Sequence, residues 1–290
     1  MEHTEIVVGY DGSAPSRTAV RYAVTQARLR DAPVRVVAAF DYNWRGGRFG
    51  GVEVLEQAVR DRIQTMVDEA VAEARVSAPG VAISGLAVLG SPGPVLVDAS
   101  RTAAIVVVGN RGHGGFAGLM LGSVGQHVAT HAGCPVLVVR GTVDTAEGPV
   151  VVGADGSERA DHTLGAAFEE AARRGSELIA IRAYQLPVPY GVMAMGTIPY
   201  DPAELKNAQA AELANSVRPW REKYPDVRVE TLVAEGGAGR VLVDVSSSAG
   251  LVVVGSHGHG AIAGTLLGSV GLQLLHHADC PVLVVRPDNT

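Results

Sequence analysis

The sequence predicts an α/β protein made of two tandem Rossmann-like domains, each with a five-stranded parallel sheet covered by helices on both faces. Short apolar strands alternate with helical segments along the chain. The strands are apolar throughout, as expected for parallel sheets that are buried on both faces. The whole pattern occurs twice in 290 residues, a length that suits two ordinary domains. The proposed domains are residues 1–142 and 147–290, with the polar segment 141–148 as the linker.

The first half supplies nine elements in the order β-α-β-α-β-α-β-α-β. Its predicted strands are Glu5–Tyr10, Val34–Phe40, Val81–Leu89, Ile105–Gly109 and Val136–Val139. Its predicted helices are Pro15–Arg30, Glu53–Ser77, Pro92–Ser100 and Ser123–His131. Ser13 and Ser91 are favourable N-cap residues, and prolines follow them in the first helical turn. The segments 31–33 and 79–80 contain proline and end the first two helices.

The second half repeats this pattern. Residues 150–157 match residues 6–13, and residues 277–286 match residues 131–140. The predicted counterparts between them are a strand at Glu177–Ala183, a helix at Pro202–Lys223 with Asp201 as its cap, and a strand at Val227–Ala234. The offset grows from 144 residues at the first strand to 146 at the glycine loop, so the copies differ by a small change in loop length.

Composition and charge exclude several classes of protein. The net charge of −6 argues against a general binder of nucleic acids or of anionic membranes. No stretch approaches 18 consecutive apolar residues, and the N-terminus lacks the features of a signal peptide. The two cysteines, Cys134 and Cys280, occupy matching positions before strands, which favours apolar packing over a disulfide or a reactive thiol. We therefore expect a cytoplasmic protein without a membrane partner.

A glycine motif follows the fourth strand of each half. It has the pattern G-x2-G-x9-G-S and occupies residues 109–123 and 255–269. An apolar strand enters a glycine loop, and a helix begins at Gly-Ser. Backbone N–H groups at a helix N-terminus bind anions such as phosphate, so each copy is interpreted as a cradle for nucleotide phosphates.

These residues resemble universal stress protein domains, and the resemblance covers essentially the whole chain. It rests on the Val-Gly-x-Asp-Gly-Ser start, on the glycine motif and on the His-Ala-x-Cys-Pro-Val-Leu-Val-Val-Arg end, each present twice in the same order. The resemblance implies strand order 3-2-1-4-5 and last strands that meet in an intramolecular pseudo-dimer. A homodimer of the whole chain is left open. The glycine pattern marks the ATP-binding class of the family, so the resemblance also implies ATP, with Mg²⁺, at two sites.

In that strand order the ligand is expected between strands one and four, where the order reverses. The residues predicted to bind the nucleotide in the first half are Gly9, Asp11, Gly109, Arg111, Gly112, Gly114, Gly115, Gly122, Ser123 and Val124. Those in the second half are Gly153, Asp155, Gly255, His257, Gly258, Gly260, Ala261, Gly268, Ser269 and Val270. The glycines would let the backbone approach the nucleotide, and the aspartates would accept from ribose or adenine or help to hold Mg²⁺. Turn and packing roles are the alternatives for both residue types.

The two copies differ where Arg111 is matched by His257. Arginine is charged at any physiological pH, whereas histidine is mostly neutral near pH 7. We therefore expect weaker or more pH-dependent binding in the second half. His257 and His259 have no ligand partners at familiar spacing, so no metal site is predicted. Aromatic and sulfur-containing side chains in the loops after the second strands would cover the adenine or simply anchor the loops: Trp44, Phe49, Tyr184, Tyr190 and Met193.

The function expected from this pattern is that of an ATP-binding regulator in stress response, with slow hydrolysis at most. The chain has no P-loop sequence, and its only lysines, Lys206 and Lys223, lie in the long helix of the second half. That absence argues against the first alternative, a ligase or nucleotidyltransferase of related fold. The second alternative is an interaction module with a relic nucleotide site. No catalytic residue is proposed.

Overall fold

The computed structural model describes residues 4–41, 52–112, 121–140, 148–157, 160–185, 201–258 and 267–286. These residues form ten strands and eight helices, and their contacts divide the chain into two compact units. The first unit is Met1–Val143 with Leu275–His277 and Pro281–Thr290, and the second is Asp144–Leu274 with Ala278–Cys280. The domain bounds 1–142 and 147–290 stay predictions.

The first unit contains a parallel sheet in the order β3-β2-β1-β4-β5. Its strands are β1 (Glu5–Gly9), β2 (Val34–Phe40), β3 (Ile83–Leu89), β4 (Ala103–Gly109) and β5 (Val136–Val139). Its helices are α1 (Ala14–Arg30), α2 (Val52–Ser77), α3 (Pro92–Ala99) and α4 (Ser123–His131). The α/β class and the strand order that the sequence and the resemblance predicted are therefore confirmed.

The second unit repeats the order as β8-β7-β6-β9 with all pairs parallel. Its strands are β6 (Val150–Gly153), β7 (Leu178–Tyr184), β8 (Val229–Glu235) and β9 (Leu251–Gly255). The helices of the second repeat are α5 (Ala160–Arg174), α6 (Pro202–Lys223), α7 (Ala238–Ser246) and α8 (Ser269–His277). The chain ends with β10 (Val282–Val285), which belongs to the first compact unit and pairs antiparallel with β5.

The helices cover both faces of each sheet because of the handedness of the connections. Right-handed crossovers place α1 and α2 on one face and, after the chain reverses direction at β3, α3 and α4 on the other. The contacts agree, since α1 packs against α2 and α3 against α4. The central strands are consequently enclosed on both sides, and Ile6, Val7, Val106 and Val107 are fully buried. Their β-branched side chains suit this environment.

Most element ends lie where the sequence predicted them, with a few corrections. β3 begins at Ile83 instead of Val81, because the Val81 N–H bonds to the Ala78 carbonyl in the turn after α2. β8 likewise begins at Val229 instead of Val227, whose N–H bonds to Tyr224. β4 starts earlier than predicted, at Ala103. No bounds were predicted for α5 and α7.

Capping residues explain where the helices start. The Ser13 hydroxyl accepts from the N–H of Ser16 at the start of α1. Asp201 accepts from the N–H of Ala203 at 2.8 Å at the start of α6, as predicted. Ser91 occupies the N-cap position of α3, but its hydroxyl donates to Asp41 instead of capping the helix.

The matching C-terminal segments of the two sequence repeats hold the last strands in place. β5 and β10 pair with Leu137 opposite Leu283, so the last strands of the two repeats meet as the resemblance implied. The Arg140 guanidinium donates to the carbonyls of Leu275 and His276 at 2.6 and 2.9 Å, and Arg286 donates to the Ala129 carbonyl at 2.7 Å. These bonds satisfy carbonyls at the C-terminal ends of α8 and α4.

Within the described part of the chain, no helix combines the length and the apolar character that a membrane span requires.

Candidate functional site

The predicted site lies at the carboxyl edge of each sheet, where the strand order reverses. In the first unit β1 and β4 are parallel neighbours, with Val8 opposite Val107. In the second unit β6 and β9 are parallel neighbours, with Val152 opposite Val253. The Asp-Gly-Ser turn and the glycine motif are far apart in sequence, yet they begin side by side in space.

Glycines at the strand ends are required by close packing. A Cβ on Gly109 would lie 2.9 Å from the carbonyl carbon and oxygen of Pro15 in α1. A Cβ on Gly255 would lie 2.9 Å from the Thr163 hydroxyl of α5. Distances below 3.0 Å are not tolerated without a shift of one partner, so packing accounts for these glycines whether or not a ligand binds. A Cβ on Gly9 or Gly153 would lie 2.8 Å from a terminal methyl group of Leu96 or Leu242, a contact that a movement of the leucine side chain can relieve.

Asp11 connects the turn after β1 with the glycine motif. One carboxylate oxygen accepts the Ser13 N–H at 3.0 Å and fixes the turn. The other oxygen lies against Gly112, where a Cβ would overlap it. The turn role that the sequence left as an alternative is therefore present. The same carboxylate also borders the loop in which a ligand is expected.

The second repeat has the same arrangement around Asp155. Its Oδ1 accepts from both the N–H and the hydroxyl of Ser157, at 3.0 and 2.7 Å. A Cβ on Gly258 would lie 2.7 Å from Asp155 Oδ2. The direction of the carboxylate is thus fixed by the turn, and the second glycine of the motif leaves room for it.

The helices after both glycine motifs begin with glycine as the N-cap residue. Gly122 is extended, with φ −76° and ψ 152°, and its N–H bonds to the Asn110 carbonyl at 2.8 Å. Gly268 has nearly the same angles, and its N–H bonds to the Ser256 carbonyl at 2.7 Å. These bonds close the loop and bring the helix start beside the strand end. Because glycine has no side chain, the cap residue leaves the N–H groups of the first turn to other partners. Those groups belong to Ser123 and Val124 in α4, and to Ser269 and Val270 in α8.

A cavity of about 680 Å³ opens at this position in the second unit. Every described residue that the sequence assigned to the second site lines it: Gly153, Asp155, Gly255, His257, Gly258, Gly268, Ser269 and Val270. The volume falls in the range of small-molecule sites, about 300–1,000 Å³. The lining includes the N-terminus of α8, the C-terminal part of β7, and residues 236–238, which follow β8.

Arg182 lines the same cavity and was not predicted. Its side chain is only 11% exposed, its Nε donates to Gln209 at 2.5 Å, and its Nη2 pairs with the Glu212 carboxylate. The signal in the sequence is a single arginine in the otherwise apolar strand 178–184, where the first repeat has Ala38. Gln185 and Gln209 line the cavity as well.

Arg111 and His257 occupy equivalent places in the two loops. Arg111 is exposed, whereas His257 is half-buried, lines the cavity and exchanges a 3.0 Å hydrogen bond with the Ser256 hydroxyl. Of the five residues proposed to cover the adenine, Tyr184 lines the cavity, but it is the last residue of β7 and not part of the loop as predicted. Several predicted residues lie outside the described part of the chain: Gly114, Gly115, Gly260, Ala261, Trp44, Phe49, Tyr190 and Met193.

The cysteines are buried beside the last strands. Cys134 is 7% exposed, and burial raises the pKa of its thiol to about 12. Cys280 is fully buried. A thiol with so high a pKa stays protonated near neutral pH and is a poor nucleophile, which agrees with the predicted packing role.

The model of the universal stress protein family matches residues 3–140 and again residues 148–286. A universal stress protein of Mycolicibacterium smegmatis is 36% identical over 293 residues, which cover 97% of both chains. A universal stress protein of Mycobacterium tuberculosis is 35% identical and covers 97% of this chain and 96% of its own.

Solved structures show the same fold. A universal stress protein from Archaeoglobus fulgidus superposes with a TM-score of 0.66 over 99% of this chain and 98% of its own, at 17% identity. A protein from Pseudomonas aeruginosa described as a universal stress protein gives a TM-score of 0.63 over 99% of this chain and 94% of its own, at 14% identity.

Proposed function

The chain belongs to the universal stress protein family, which supports a role in stress response, and we propose that it acts in that role as an ATP-binding regulator. In this proposal each sequence repeat holds one nucleotide, accompanied by Mg²⁺, at the carboxyl edge of its sheet. Binding is the main activity, and any hydrolysis is slow.

The observation that carries the proposal is the cavity beside the start of α8. Its volume suits a nucleotide, and its wall includes the glycine cap and the first two residues of the helix. The N-terminus of a helix carries a partial positive charge of about half an elementary unit, and its N–H groups point outward. A phosphate chain placed there would receive main-chain hydrogen bonds. The start of α4 has the same cap geometry in the first repeat.

The aspartates add oxygen ligands next to the loop. Asp11 and Asp155 each keep one oxygen on a main-chain N–H of the turn and present the other toward the glycine motif. Carboxylate oxygens together with nucleotide phosphates are the ligands that Mg²⁺ prefers, and they also bind ribose hydroxyls. In this proposal the carboxylates either hold Mg²⁺ or orient the sugar.

The positions of the lysines support a binder more than a phosphoryl-transfer or adenylyl-transfer enzyme. Lys206 and Lys223 both lie on α6, the former in its first turns and the latter at its end. The Lys223 ammonium lies 5.0 and 5.3 Å from the ring centres of Trp220 and Tyr224, so it is engaged in cation–π contacts. The phosphates would therefore be held by main-chain amides, with Arg111 at the first site and His257 at the second.

Replacing the cap glycines with glutamate tests the proposal. A Cβ on Gly122 would have its nearest neighbours at 3.5 Å or more, and the same holds for Gly268, so a Cβ fits at both sites without a clash. Gly122→Glu and Gly268→Glu place a carboxylate where phosphate is expected. Like charges in direct contact cost several kcal/mol. We expect each change to weaken ATP binding at its own site about 100-fold or more, equivalent to about 2.8 kcal/mol.

Gly122→Gln and Gly268→Gln are the matched controls, since they add the same volume without the charge. Calorimetric titration of the full chain with ATP and Mg²⁺ gives the stoichiometry and affinity. The double glutamate variant should retain the thermal unfolding of the parent and lose ATP binding. ATP binding by that variant equal to the parent's would contradict the proposed site. Failure of the parent chain to bind ATP or to release nucleotide in mass spectrometry would favour the interaction module.

A further inference from the structure

Arg182, Gln209 and Glu212 form a hydrogen-bonded group, the Arg182 cluster, in the wall of the second cavity. The arginine comes from β7 and the other two residues come from α6. The guanidinium donates through Nε to the Gln209 amide oxygen at 2.5 Å and through Nη2 to the Glu212 carboxylate. Arg182 is 11% exposed and Glu212 58%, so the cluster extends from the buried wall to the surface. Arg182 and Gln209 both line the cavity.

The first repeat has apolar residues at the three equivalent positions. Arg182 is the fifth residue of β7, and Ala38 is the fifth residue of β2. The helices α2 and α6 each end six residues before the following strand begins, which aligns Gln209 with Ile63 and Glu212 with Met66. The second repeat has therefore replaced an alanine, an isoleucine and a methionine with a connected polar group. Burying such a group is unfavourable unless its hydrogen bonds are satisfied.

The cluster lies at the opposite end of the cavity from the phosphate cradle. β6 pairs with β9 on one side and with β7 on the other. Neighbouring strands are about 4.8 Å apart, so the ends of β7 and β9 are separated by roughly 10 Å. The start of α8 follows β9, and Arg182 lies two residues before the end of β7. A nucleotide that binds with its phosphates at the start of α8 and extends over the end of β6 would have its base at the Arg182 cluster.

The charge and geometry of the cluster favour a neutral acceptor over a second phosphate. Glu212 already compensates the charge of Arg182, so the cluster adds little net positive charge to the cavity. The cluster instead provides N–H donors of a guanidinium whose position is fixed by its hydrogen bonds. The third guanidinium nitrogen, Nη1, lies beside Gly156, whose φ of +75° and lack of a Cβ allow this approach. Gly156 adjoins Asp155, which lines the cavity.

Arginine donors match the acceptors O6 and N7 of guanine, whereas adenine carries an amino donor in place of O6. We propose that the second pocket prefers a 6-oxopurine nucleotide, with guanine as its natural example, and that Arg182 determines this preference. This inference rests on the proposed nucleotide site. It differs from the proposed function only in the nucleotide that the second repeat prefers. The first repeat has Ala38 at the position equivalent to Arg182, and ATP remains the proposed ligand there.

The test uses the full chain with Gly122→Glu, so that the second pocket is titrated alone. GTP, ITP and ATP are titrated calorimetrically with Mg²⁺ into this parent, into Arg182→Ala and into Arg240→Ala. Arg240 is an exposed arginine of α7 that pairs with Asp244 and does not line the cavity, so it controls for the loss of an arginine. Unfolding curves of the three proteins check that each is folded. Arg182→Lys, which keeps the charge but not the planar fork, is the second variant if the alanine protein fails to fold.

We expect GTP to bind the parent about tenfold more tightly than ATP, as one good arginine–guanine contact gives. ITP should behave like GTP because it shares the carbonyl at C6. Arg182→Ala should bring the GTP-to-ATP affinity ratio close to one, and Arg240→Ala should leave it unchanged. A ratio near one in the parent, or one that Arg182→Ala does not alter, overturns the inference while the nucleotide site stands. Absence of binding by all three nucleotides overturns the proposed function of this pocket together with the inference.

Discussion

Replacing Gly109 with alanine separates the demands of the fold from those of the ligand. Gly109 ends β4 in the glycine motif, where a ligand role was predicted. The added Cβ would lie 2.9 Å from the backbone carbon and oxygen of Pro15 and 3.1 Å from its Cβ. A backbone contact cannot be relieved by turning a side chain, so either the start of α1 or the end of β4 must move. We therefore expect a loss of stability even without nucleotide.

The magnitude follows from the cost of overpacking. Adding a methyl group to a tightly packed site costs about 1–3 kcal/mol. A change of about 2 kcal/mol lowers the Tm of a unit of this size by about 4–8 °C. Gly122→Ala is the matched control, because its Cβ would have no neighbour closer than 3.5 Å. We expect that variant to change the free energy of unfolding by less than about 1 kcal/mol.

Thermal unfolding followed by calorimetry measures both variants, with and without ATP. The two units can unfold in separate steps, so each transition is fitted on its own. The packing argument requires that Gly109→Ala lower the transition of the first unit without ATP. It would be refuted by a Gly109→Ala protein that matches the parent in stability and loses only its affinity for ATP. That result would assign Gly109 to the ligand.

Three further predictions concern single side chains. Asp11→Ala should lower stability by about 1 kcal/mol, through loss of the bond to the Ser13 N–H, and should weaken ATP binding by a larger free energy in calorimetry. Burial raises the pKa of Cys134 to about 12, so above pH ~8.5 the unfolded chain loses a proton that the folded chain keeps. The free energy of unfolding should therefore fall by up to about 1.4 kcal/mol per pH unit from pH ~9 toward 12, and urea titrations of Cys134→Ala should show a smaller slope. In the Gly122→Glu chain, His257→Arg should raise the affinity of the second pocket for nucleotide in calorimetry, because a guanidinium can pair with phosphate through its planar fork; an unchanged affinity would exclude a phosphate contact at this position.

The order of strands and helices was predictable because its cause is local. Runs such as 105–109 are apolar at every position, which fits only a strand covered on both faces. The starts of β3 and β8 were less predictable. Val81 and Val227 look like strand residues, but their N–H groups complete the turns that end the preceding helices. The strand propensity of a residue does not indicate whether its backbone N–H is already bonded within a turn.

The candidate site was predictable where it consists of glycines and helix starts, because both can be recognised from the sequence. The closeness of Asp11 to Gly112 follows from strand order, which the resemblance provided. Arg182 was missed because its place in the cavity depends on the alignment of β7 with α6, and no local pattern carries that information. The strand-end glycines also show that one residue type can satisfy packing and ligand approach at once.

The pairing of β5 with β10 places Leu137 directly opposite Leu283, its own counterpart in the other repeat. Contacts of this kind occur across the twofold axis of dimers built from identical subunits, in which every substitution appears twice. Here both strands belong to one polypeptide, so a change in one copy no longer imposes the same change on the other. The second repeat has Arg182 where the first has Ala38, and His257 where the first has Arg111. In a dimer of identical chains, both subunits would carry the same residue at each of these positions. Covalent linkage thus releases the two copies from identity and lets them evolve different tasks.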